Sequence, residues 1–226
     1  MPNKVKVQEI TDRIVAVLRD ESADSWPESV IHKTLIEAEK TVINFRPDAG
    51  SVDAVFTCAA GPVQTIKDLT DPAAHWLLEV KYNVDASDVP TSSIRRVDID
   101  SQDAINRNWR IATPVAQTRE VMYDDREPLI FYLNPPIQAG SKVQISYCGV
   151  PPAYGAVDAN TETLVSATYE PMLMEFSLYR LLSHDVEGSV NIQRSQAHLN
   201  NFQQMMGIKV TGEEKFGMFN PEHRRT

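Results

Sequence analysis

Two stretches near the start of the chain place apolar residues at the three- and four-residue steps of an amphipathic helix. Val7, Ile10, Ile14 and Val17 or Leu18 mark the first, and Ile31, Leu35, Ala38, Val42 and Phe45 mark the second. Between them Ser25-Trp26-Pro27-Glu28 reads as a capping box, with Ser25 placed to cap and Glu28 placed to reach back. Proline is tolerated in a first turn because its missing N–H has no partner there. Arg46-Pro47-Asp48-Ala49-Gly50 stops the second helix.

From Ser51 the period shortens. Val52 to Ala59, Val63 to Ile66 and Trp76 to Tyr82 are short runs bounded by turn residues and are expected as strands. Lys142 to Tyr147 alternates polar and apolar positions, which predicts a strand with one wet and one dry face. Leu129 to Leu133 is apolar throughout, and Asn134-Pro135-Pro136 with Ala139-Gly140 looks like a loop, so the two runs are expected to pair as a β-hairpin. Ser93 to Ile105 reads as helical or irregular, and Pro151 to Glu162 as a linker.

Helical spacing returns from Thr168 to Ser183, with Leu173, Phe176, Leu178, Tyr179, Leu181 and Leu182 apolar. Asp185 to Ser189 breaks it, and Ile192, Leu199, Phe202 and Met206 form a second stripe, with Gly207 placed as a C-terminal cap. Helices, then strands, then helices predict an α+β fold: a helical bundle built from the N- and C-terminal helix pairs, with an inserted antiparallel β-sheet module. The expected bounds are 1–50 for the first helices, 51–165 for the β-rich module, 166–207 for the C-terminal hairpin and 208–226 for a tail.

Composition changes this picture little: 226 residues with 42% hydrophobic and 23% charged content suit a globular protein with room for a full core. Met1 to Val7 lacks an apolar export core and no run approaches the roughly 20 apolar residues of a membrane span, so residence in a cytoplasm without membrane contact is expected. Cys58 and Cys148 are then expected as separate reduced thiols, although a pair is chemically conceivable.

Charge is more informative. The net charge of −9 disfavours a protein that grips nucleic acid by neutralising phosphates. Residues 51–165 carry −6 of it, whereas residues 207–226 carry +1. In that tail Phe216, Met218 and Phe219 lie near Arg224 and Arg225, the composition of an anchor for an acidic, partly apolar groove. A frayed terminus without a partner is the plain alternative.

Catalytic and metal chemistry find no foothold in spacing. The histidines His32, His75, His184, His198 and His223 form no H-x-x-x-H pair, and the cysteines stand 90 positions apart. Asp98-Ile99-Asp100-Ser101-Gln102-Asp103 begins like a calcium loop but lacks the glycine at its sixth position and the glutamate at its twelfth, where Trp109 stands. A helix cap at Asp100 or Ser101, with Asp103 in the first turn, explains it better. No nucleophile elbow or glycine-rich phosphate loop occurs. Asp124-Asp125-Arg126-Glu127 reads as a solvated turn between strands, and Tyr123, Tyr132 and Trp76 as strand aromatics rather than a stacking platform. No catalytic, cofactor or metal residues are assigned, and no enzyme activity is expected.

Many weak pieces in one order nevertheless form a pattern. They are Phe45-Arg46-Pro47-Asp48-Ala49, Gly61-Pro62-Val63-Gln64, Arg95 to Trp109 with Asp98, Pro128 to Pro136, Val143 to Tyr147 before Pro151-Pro152, and Tyr169-Glu170-Pro171-Met172-Leu173 running into Tyr179 to Asp185. Across about residues 26 to 207 this pattern resembles the adaptor, or head-to-tail connector, proteins of tailed bacteriophages. It departs from them at Thr65-Ile66-Lys67, where such proteins carry a short proline-ended loop.

The resemblance implies a structural protein of the virion neck, assembled in the host cytoplasm. It implies a homo-oligomeric ring, commonly of twelve copies, with portal protein above, tail or nozzle protein below and a lumen through which DNA passes without specific binding. No cofactor is implied. An acidic lumen would repel phosphates, the helical hairpins would form the ring body, and Phe216, Met218, Phe219, Arg224 and Arg225 would contact the portal or a neighbour. A tail-terminator or tail-tube type virion protein, and an unrelated soluble binding domain, are the competing readings.

Overall fold

A computed structural model describes residues 3–19, 25–124, 126–154, 157, 160–184 and 189–215. In chain order the elements begin with β1 (Lys4–Lys6), α1 (Val7–Leu18), α2 (Glu28–Phe45), β2 (Ser51–Thr57), β3 (Gly61–Thr65) and β4 (Ala74–Val84). Next come β5 (Pro90–Ser93), β6 (Arg95–Arg96), α3 (Ile99–Ile105), β7 (Glu120–Met122), β8 (Ile130–Ile137) and β9 (Lys142–Gly149). The order closes with β10 (Glu162–Ser166), α4 (Glu170–His184) and α5 (Ser189–Lys215). The fold is therefore mixed α+β, in two compact units: one from the chain up to Gly50 and from Pro151 onward, the other from Ser51–Val150.

The first unit joins the chain's two ends. Val7, Ile10 and Ile14 of α1 are buried as their spacing predicts, and Ile31, Leu35, Ala38 and Val42 form the buried stripe of α2. Helix α4 packs on α2 and α5 and also meets α1. Arg180 pairs with Glu37 of α2 at 2.8 Å, and Arg13 of α1 pairs with Glu170. Between α4 and α5, Phe176 and Phe202 meet edge to face at 5.2 Å, and Glu175 accepts from Asn201 at 3.2 Å and lies 2.8 Å from Nδ1 of His198. Strands β1 and β10 pair antiparallel, Lys4 opposite Ser166.

Several local expectations change here. Helix α2 starts at Glu28 with Pro27 in the N-cap position, so Ser25 lies two residues too early to serve as the cap. Strand β10 begins at Glu162, where the expected linker ends, and was not foreseen; five residues of mixed character give little periodic signal. Helix α5 runs through Gly207 to Lys215 instead of ending there. A Cβ built at Gly207 meets nothing within 4 Å, so no close approach requires a glycine. Ile192 is 57% exposed; Ser195 is buried instead, its hydroxyl donating to the Tyr179 carbonyl at 3.1 Å. The expected break at Asp185 to Ser189 lies, up to residue 188, outside the described residues.

The second unit holds two four-stranded sheets, ordered β2-β9-β4-β5 and β3-β8-β7-β6. The ladders are antiparallel except for the short parallel pair β6–β7. The expected hairpin of β8 with β9 does not form: β8 pairs with β3 and β7, and β9 with β2 and β4. Alternation predicts a strand but not its neighbour, and here the two apolar faces meet across a shared core rather than along one ladder. Leu77, Val80, Val143, Ile145 and Tyr147 of one sheet join Val121, Phe131, Leu133 and Ile137 of the other in it. Residues 134–136, expected as loop, continue β8, with Asn134 opposite Glu120.

Two buried amides fix this unit. Asn83 of β4 donates from Nδ2 to the Thr118 carbonyl at 2.8 Å and accepts the Thr118 N–H at 2.9 Å, which ties the sheets together. Gln64 accepts the Ala59 N–H at 2.8 Å and donates to the Ala59 carbonyl at 2.9 Å, closing the turn in which Gly61 takes φ +111°. A buried amide satisfied in this way behaves as part of the backbone ladder.

Candidate functional site

Most groups with chemical potential are committed to structure. Asp98, two residues before the expected position, is the N-cap of α3 and accepts the Ser101 N–H at 2.9 Å and its hydroxyl at 3.0 Å; these bonds hold its carboxyl below the usual aspartate range. Asp124 accepts the Arg126 N–H at 2.9 Å, a turn as expected, while Asp125 lies outside the described residues. Cys58 and Cys148 are buried and form no disulfide, and burial pushes the Cys58 thiol up to about 12, away from thiolate chemistry. Among the described residues no group of three His, Cys, Asp or Glu side chains stands where it would hold a metal ion.

Glu39 of α2 is the one fully buried carboxyl among the described residues. One oxygen accepts the Tyr154 hydroxyl and the other the Val165 N–H at 3.0 Å. Burial pushes both ionisations up, the tyrosine further because a carboxylate faces it. Such a shift attracts suspicion of catalysis. With both oxygens engaged and no exposed surface, Glu39 is a clasp between α2, the 154 region and β10, which sequence reading gave no reason to expect.

The stretch after β6 differs, because it presents side chains outward from a braced base. Trp109 is fully buried and meets Tyr132 edge to face at 6.4 Å. Its Nε1–H donates to Asp103 at 2.7 Å, and Arg110 pairs with the same carboxylate while its guanidinium lies 4.4 Å from the Trp109 ring centroid. Those donors, Arg110 first, hold the Asp103 carboxyl below its usual range. Arg96 covers the Tyr123 ring at 4.1 Å, so neither Tyr123 nor Tyr132 forms a stacking platform with Trp76. On this base Ile105 and Ile111 are 80% and 81% exposed.

Phe45, Val17, Val190 and Ile192 are exposed on the first unit. Phe45 was expected in the buried stripe of α2 and instead ends that helix facing solvent, one residue before buried Arg46 grips Asp48 at 3.0 and 3.1 Å. The predicted contact residues Phe216, Met218, Phe219, Arg224 and Arg225 lie outside the described residues. Among the described residues no helix is long and apolar enough to cross a membrane.

The SU10 adaptor protein family matches the chain over residues 5–225. No curated protein matches it.

Proposed function

The chain belongs to the SU10 adaptor protein family, and on that premise we propose that it is the head-to-tail adaptor of a tailed-phage virion neck. Copies form a ring beneath the portal, commonly of twelve, link it to the tail or nozzle protein and leave a channel for DNA. The observation that carries this reading is the extent of the family match, residues 5–225, which takes in both chain ends and the β-rich segment between them. In this reading the terminal helices form the bundle of the ring body, and the acidic bias of residues 51–165 keeps DNA from adhering to the lumen. Phe216, Met218, Phe219, Arg224 and Arg225 dock on the portal or on a neighbour and order as they bind.

The test is the mass of the purified chain by light scattering, alone and with a matching portal ring. Joining the portal as a defined multiple of 25.4 kDa is the expected result. A chain that ignores the portal overturns the reading. Deleting residues 216–226, which leaves the described length of α5 intact, is expected to abolish attachment; attachment by the truncated chain removes the tail from the proposal.

A further inference from the structure

We draw no further inference here: the strongest candidate, the amide stripe of Gln193, Gln196, Asn200 and Gln203 on the exposed face of helix α5 beside the outward Val190 and Ile192, carries nothing because nothing in the structure shows what covers it.

Discussion

The Tyr154 hydroxyl donates to the Glu39 carboxylate across 115 residues of chain, and both side chains are buried. Removing that donor leaves a buried acceptor with one partner fewer. Tyr154→Phe, which keeps the ring, is therefore expected to destabilise the protein by about 1–3 kcal/mol in urea unfolding. An unchanged midpoint would mean that water takes the place of the hydroxyl at Glu39.

The same carboxyl sets a pH dependence. Burial raises the Glu39 pKa above its unfolded value of 4.5, so between the two values the native state binds more protons than the unfolded chain. Its contribution is fully present below the unfolded pKa and is lost as pH rises through the folded one. Within that window the loss reaches at most about 1.4 kcal/mol per pH unit. Relative to Glu39→Gln, which has no such proton, wild-type stability is expected to fall as pH rises from the ordinary glutamate range. Parallel pH profiles of the two proteins would show that Glu39 keeps the same pKa folded and unfolded.

This clasp shows what periodicity reveals and what it hides. Ile31, Leu35, Ala38 and Val42 announce the buried face of α2 because helical geometry alone sets their spacing. Glu39 follows Ala38 on that face, yet its burial depends on a tyrosine in a segment with no local pattern. Lys142 to Tyr147 likewise shows itself as a strand, while its partners β2 and β4 are fixed by the whole sheet's packing. The resemblance rests in part on Gly61-Pro62-Val63-Gln64 and on Arg95 to Trp109 with Asp98; the structure supplies their physical sense, a glycine-and-amide turn and a capped helix leading to a buried indole. The two outward isoleucines left no sequence signal, since exposure of an apolar residue in a short element contradicts its composition.

Asp103 braces residues 99–112 through two donors, so Asp103→Ala is expected to loosen them with little change in global unfolding. Trypsin cleavage after Arg107 and Arg110 should quicken severalfold, in keeping with local opening. The sign of its pH dependence is opposite to that of Glu39. The Asp103 pKa is depressed, so its support is present above the unfolded value of 3.8 and is lost as pH falls through the folded one. Equal cleavage rates in both proteins would show that Trp109 packing alone fixes this stretch.

Both cysteines are buried and outside any disulfide, and the Cys58 thiol is held near 12, so the folded protein presents no Cys58 thiolate at pH 8. Titration with a disulfide reagent is expected to find neither thiol in the native protein and both, promptly, in denaturant. Rapid modification of one thiol without denaturant would reveal an opening of the strand ends at Cys58 or Cys148.

Helix α5 has a polar composition and is held to α4 chiefly through Phe202, which is 4% exposed and packs against Phe176 at 5.2 Å. Most stability of such a helix comes from its packed stripe rather than from intrinsic propensity. Phe202→Ala opens a cavity and removes the ring pair, an expected loss of about 3–5 kcal/mol. Glu175 and His198 face each other across the same seam at 2.8 Å, each side chain about one-fifth exposed, and a hydrogen bond of this kind contributes only about 0.5–1.5 kcal/mol. His198→Ala is therefore expected to shift the unfolding midpoint much less than Phe202→Ala. Hydrogen exchange should separate the two variants, with amides of residues 195–207 losing protection in Phe202→Ala and keeping it in His198→Ala. Equal loss in both would show that the polar seam, and not the aromatic contact, holds α5 against α4.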